Sequence, residues 1–262
     1  MDDSKRSAAY SAKRLQAISN CESHVASILW AAAKKIVSGA SKYRVGRSLR
    51  NETAFLRYAM SITEQAEEGI TKYISAYSLS SCKVLGIDSE NIESFLVSDV
   101  YGKSCAKRTA AYLKNFAEDI FRMTKAGILL GYSDQQLISS IRTGYRNPYV
   151  TSVITKARRY DINIATPSYG KGTFHAAYHN LVRNARGMVA LAWGRAELEY
   201  GEDSGAIAFL VFRGSSYPCS TCDYETSYVH KLTDPFPPFH VNCCCFVKFI
   251  FSKDELQEIS TI

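Results

Sequence analysis

The sequence has no long apolar run. The longest, Val25 to Ala33, is broken by Ser27 and falls far short of the ~20 residues that span a bilayer. The N-terminal stretch MDDSKRSAAYSAKR is charged and small, without the apolar core that a signal peptide needs. There is no Gly-rich phosphate loop, no G-x-S-x-G, no paired-carboxylate pattern, no internal repeat and no low-complexity segment. These absences set aside membrane proteins, P-loop enzymes and serine hydrolases. The expectation is a soluble protein made in the cytoplasm, where thiols stay reduced and a cysteine cluster favours metal over disulfide.

What is present is an ordinary globular composition with its charge unevenly placed. Of 262 residues, 46% are hydrophobic and 22% charged, with a net charge of +7. Residues 1–168 hold 24 Lys+Arg against 15 Asp+Glu, a net +9, whereas residues 169–262 hold 8 against 10, a net −2. A basic half suits an acidic partner such as nucleic acid; a solvated basic surface without a partner is the plainer alternative.

The first 160 residues read as helix after helix. Leu15, Ile18, Val25, Ile28, Leu29 and Ile36 recur at helical spacing over Ser7–Ser38. Asn51 is a candidate cap for a second helix, whose Phe55, Tyr58, Ile62, Ile70 and Ile74 share a face. A third helix is expected from Lys103 to Leu130, stopped by Gly131, then a short one from Ser133 with Gln136 completing a capping box. A further helix is expected over Tyr149–Tyr160. The stretch NIATPSYGKGT, 163–173, reads as a linker, with a domain boundary near Ser168. Beyond it a long helix is expected from Thr173, its cap, to Tyr200, ended by Gly201. The short apolar runs 206–214 and 245–251 read as strands.

Five of the eight cysteines lie between Pro218 and Phe251. Cys219 and Cys222 form a C-x2-C, and His240, Cys243, Cys244 and Cys245 follow about twenty residues later. Zinc takes four N/S ligands in a tetrahedron, and two short ligand pairs at the ends of a loop supply that geometry. Candidate ligands are Cys219 and Cys222, with two drawn from His240, Cys243 and Cys245. In an extended chain Cys243 and Cys245 face one side and Cys244 the other, which makes Cys244 the poorest candidate. Plain core packing and disulfides are the competing readings for the loop; Cys21, Cys82 and Cys105 are expected simply to fill a core. Four protein ligands close the coordination sphere, so a structural role is expected. His175 and His179, in HAAYH, stand four apart as in a zinc-protease helix, but Ala176 replaces the carboxylate that would activate water, so a packing role is expected. His230, in a polar loop, reads as a surface residue.

With these elements assembled, the C-terminal part resembles the phage Mu F-like head morphogenesis family, the minor head proteins. The resemblance rests on Ala185-Arg186 in the long helix, then a strand, Cys219 and Cys222, Pro237-Pro238-Phe239-His240, and His240-Val241-Asn242-Cys243-Cys244-Cys245 before a closing strand. It covers residues 172–251. Two positions depart from the family pattern: Cys244 stands where Arg is frequent, and Gly187-Met188 where Thr-Glu is frequent.

The expected fold class is therefore α+β: a mostly helical basic domain over 1–168, then a domain over 169–262 with a long helix, small antiparallel β-structure and a zinc-stapled loop. The resemblance implies a virion component in the capsid interior, associated with the portal and with capsid proteins, that touches packaged double-stranded DNA through the basic half. A zinc-containing nuclease or phage-delivered toxin is the alternative.

Overall fold

The computed structural model describes residues 3–100 and 102–260. Met1, Asp2, Tyr101, Thr261 and Ile262 lie outside it, including the outermost residues of both expected domains. The fold is α+β and mostly helical, with one three-stranded antiparallel sheet and two short hairpins among the described residues. In chain order the elements are α1 (Asp3–Gly39), β1 (Arg44–Val45), β2 (Ser48–Leu49), α2 (Glu52–Leu85), α3 (Glu90–Val97), β3 (Asp99–Val100) and β4 (Lys103–Ser104). Then come α4 (Cys105–Leu129), α5 (Asp134–Gly144), α6 (Ser152–Arg159), α7 (Ala177–Asp203), β5 (Ala208–Phe212), α8 (Ser220–Glu225), β6 (Val229–Lys231), β7 (Phe246–Ile250) and α9 (Lys253–Ser260). None of these helices is long and apolar enough to cross a membrane.

Two compact units interleave along the chain. One takes Met1–Cys21, Ile74–Ser98 and Ala185–Ile262; the other takes Glu22–Tyr73 and Asp99–Asn184. Ser168 falls inside the second, and the first twenty-one residues group with the C-terminal ones. The sequence divides by chain order; the fold groups segments by where their apolar faces find cover.

In the helical unit, Val25, Leu29, Ile36, Phe55, Ile62 and Ile70 are buried, together with Leu113, Phe116 and Ile120 of α4. The predicted end signals operate. Asn51 Oδ1 accepts from the Ala54 amide at 2.9 Å, and Ser133 and Gln136 form a reciprocal capping box. Gly131, at φ +81°, closes α4 in a Schellman turn: its amide reaches Ile128 O and that of Tyr132 reaches Gly127 O, both at 2.9 Å.

Asp119, a fully buried carboxylate of this unit, gathers the segment read as a linker. It accepts from Tyr149 OH at 2.6 Å, from Tyr169 OH and from the Ala177 amide at 2.8 Å, with Arg122 at 3.6 Å. Burial pushes the Asp119 pKa up, and the donors pull it back. The Ala177 contact places the start of α7 four residues later than Thr173. Thr173 does not cap the helix: its hydroxyl donates to Gly170 O, while the Asn180 side chain folds back on Phe174.

In the other unit, the sheet order is β6-β5-β7, with Phe209 opposite both His230 and Phe249. Phe209, Val211, Val247 and Phe249 form its core with Cys222, Cys243 and Cys245. Gly201 does not end α7. It lies inside the helix because the Phe249 ring occupies the space of a side chain, 2.3 Å from where a Cβ would stand. The stop is Gly205 at φ +80°, again with a Schellman pair, Gly205 N to Glu202 O and Ala206 N to Gly201 O. Two turns before Gly201, Gly194 admits the carbonyl of Pro237, which would stand 2.1 Å from a Cβ. These two glycines let the strand and the proline loop lie directly on the helix.

Candidate metal centre

The two ends of the loop converge. Cys219 is the N-cap of α8, and its sulfur accepts from the Cys222 amide at 3.5 Å, so one tight turn aims both thiols the same way. At the other end the Cys243 amide donates to His240 O at 2.9 Å, folding the histidine back over the following cysteines. His240 Nε2 then stands 3.3 Å from Cys219 Sγ and 3.1 Å from Cys222 Sγ, and Cys222 Sγ stands 4.0 Å from Cys243 Sγ. Two triads result, Cys219–Cys222–His240 and Cys222–Cys243–Cys245, sharing Cys222; within each the ligand atoms lie within 4.8 Å of one another. This Cys/His cluster can hold a metal ion. Bonds of ~2.0 Å to nitrogen and ~2.3 Å to sulfur in a tetrahedron give edges of ~3.5 Å and ~3.8 Å. The two nitrogen–sulfur separations are a few tenths of an ångström shorter than that edge, and the Cys222–Cys243 separation is slightly longer than the sulfur–sulfur edge.

The cluster is dry on one side and open on the other. Cys222, Cys243 and Cys245 are buried in the sheet core, Cys219 is half-buried and His240 is exposed. The open side is a cavity of about 500 Å³ whose lining includes Arg213, Tyr217 and Asn242. Arg213 reaches Asp223 and the Tyr217 carbonyl, holding the approach to Cys219. Gly214 allows the Cys244 carbonyl to come within 1.9 Å of where a Cβ would stand, which brings the two ends of the segment together. Arg186 of α7 donates to Asn242 Oδ1 at 3.1 Å, tying the helix to the H-x-N-C stretch.

The thiols are not equivalent. The hydrogen bond from Cys245 holds the Cys243 pKa down, and the nearby charge of Arg14 acts the same way; the Cys245 pKa is raised. Burial pushes Cys222 up to about 12, and the Cys222 amide holds Cys219 down. Every cysteine is a free thiol, and Cys222 and Cys243 at 4.0 Å are far from the ~2.05 Å of a disulfide. Cys244 joins neither triad; its thiol turns to Asn242 O. Cys21, Cys82 and Cys105 are buried apart from the cluster.

Two histidine readings change. His230 is fully buried on β6, stacked on Phe209 at 4.8 Å, with Nε2 at 2.7 Å from the Glu225 carbonyl. The apolar strand partner, invisible in the polar sequence around it, draws the ring inside. His175 precedes α7 and meets the Pro167 carbonyl at 2.9 Å, so HAAYH does not share a helical face.

Sequence reasoning missed the contribution of α1. Ser7, Ser11 and Arg14, at helical spacing, are buried against the C-terminal segments of their unit. Ser7 donates to Glu197 Oε1 at 2.7 Å and accepts from the Val247 amide at 3.3 Å; Ser11 reaches Cys244 O at 3.5 Å; Arg14 donates to Cys245 O at 2.7 Å. The available signal was a polar stripe on a helix whose neighbouring apolar positions are partly exposed, Leu15 at 37%.

Comparison with family models, with curated proteins and with solved structures returned no match.

Proposed function

We propose that the cluster is a structural zinc site and that the protein is a minor head protein of a tailed phage. One observation carries the zinc reading: His240, eighteen residues after Cys222, places its Nε2 against both sulfurs of the C-x2-C. Soft sulfur and imidazole donors that converge on Cys222 suit zinc. In this reading Cys219, Cys222, His240 and Cys243 ligate, and Cys245 stands behind Cys243 as a hydrogen-bond donor. Four protein ligands leave no open position for water, so the ion holds structure and activates nothing. A nuclease would need an accessible base at the site, and His230 is buried.

The phage reading is supported by the order of its motifs, from Ala185-Arg186 through the C-x2-C to His240-Val241-Asn242-Cys243, and by the Arg186–Asn242 contact that joins two of them. In this reading the protein works in head morphogenesis inside the capsid, docks on the portal and capsid proteins, and meets DNA during packaging. The distribution of charge supports the DNA contact. The helical unit holds 21 Lys+Arg against 10 Asp+Glu, a net +11, and the cysteine-bearing unit 11 against 15, a net −4. The test is co-elution with the portal protein encoded in the same genome, with duplex-DNA binding measured across a salt series. Portal co-elution, and DNA affinity falling linearly on a log–log plot against salt, are expected. Failure to co-elute, or DNA binding indifferent to salt, would contradict the respective parts.

A further inference from the structure

Arg14 poses a charge problem that the rest of its unit leaves open. Its side chain is fully buried. Nη2 donates to Ser11 Oγ at 3.1 Å and to the Cys245 carbonyl at 2.7 Å, while Nε and Nη1 have no hydrogen-bond partner among the described residues. No carboxylate pairs with it among the described residues. Glu197, also fully buried, accepts from Ser7, two helical turns earlier on α1. A guanidinium is charged at any working pH, and burying one without a counter-charge is strongly unfavourable.

The thiols supply that counter-charge once they are ligands. Metal ligation requires thiolates, so Zn²⁺ with three thiolates and a neutral imidazole is a net −1 centre, and with four thiolates a net −2 centre. Every four-ligand set drawn from Cys219, Cys222, His240, Cys243 and Cys245 that contains the C-x2-C pair is anionic. An anionic centre half-buried in an apolar core needs a cation nearby as much as the guanidinium needs an anion.

We propose that Arg14 is the fixed counter-charge of the metal–thiolate centre, which makes the first helix part of the site. This rests on the zinc reading above. Arg14 is a positioning residue: it reaches the centre through the Cys245 carbonyl and through its field, and ligates nothing.

The test is Zn²⁺ affinity of the full chain, by competition with a chromophoric chelator, for wild type, Arg14→Lys and Arg14→Met. Outer-shell partners of metal ligands are worth about 10–100-fold in affinity, and a loss in that range is expected for Arg14→Met. Arg14→Lys, which keeps the charge and loses the fork, falls between. A second measurement needs no variant: Co²⁺ loaded into wild type should show sulfur-to-cobalt charge transfer of at least three thiolates. Wild type that binds one Zn²⁺, with Arg14→Met binding equally well, overturns this inference alone. So does a two-thiolate cobalt spectrum, which would leave the centre neutral. Wild type that binds no Zn²⁺ overturns the zinc reading first. Should Arg14→Met not fold, Arg14→Lys and the cobalt spectrum carry the test.

Discussion

The two compact units solve the same problem with different means. The helical unit closes on long amphipathic faces and needs one polar knot, Asp119, to bind the irregular segment before α7. The cysteine-bearing unit has a sheet of only three short strands, and the segment from β5 to β7, which holds only α8 and β6, carries five thiols and four of the six prolines. A segment with so little regular structure finds few backbone partners of its own, and in the zinc reading a cross-linking ion would supply what the small sheet cannot. Regular periodicity stabilises the first unit throughout; the zinc reading concentrates the stability of the second at one point. The two tryptophans make this testable, because Trp30 lies in the helical unit and Trp193, 1% exposed, in the other.

The largest effect should come from the cluster. Cys222→Ser removes the one thiol common to both triads, and should forfeit most of a contribution on the order of 10 kcal/mol to the cysteine-bearing unit. Fluorescence-monitored urea unfolding of a Trp30→Phe background should then show Trp193 exposed early, while a Trp193→Phe background moves less. Next comes Asp119→Ala, which strips the Tyr149, Tyr169 and Ala177 donors of their acceptor. A loss of about 3 kcal/mol is expected, read mainly through Trp30. Gly194→Ala sets a methyl against the Pro237 carbonyl, a backbone atom that yields only if the loop shifts. It should cost about 2 kcal/mol in the Trp193 signal. Smallest is Cys244→Ser, expected within about 0.5 kcal/mol of wild type and without change in metal content. Equal effects of Cys244→Ser and Cys222→Ser would erase the distinction between the thiols.

What was legible in the sequence follows the same division. Helix periodicity, the Asn51 cap, the Ser133–Gln136 box and the Gly131 stop are local signals, and all four operate in the fold. The stop of α7 was misplaced because two glycines compete there. Gly201 serves a packing contact that only the Phe249 ring reveals, and Gly205 takes the left-handed conformation. The loop was recognisable as a cysteine cluster, but α8 and β6 within it were not, since six and three residues carry too little period. His230 was misread for the same reason: its burial is decided by Phe209 on another strand. Arg14 stands more than two hundred residues from Cys245, whose carbonyl it meets, and no local pattern reaches that far.

The most direct test of the central claim is metal content of protein purified under reducing conditions, with native-state alkylation of the thiols. The account predicts one zinc per chain, with Cys219, Cys222 and Cys243 protected until a chelator is added. Metal-free, folded protein whose loop cysteines alkylate freely would contradict it.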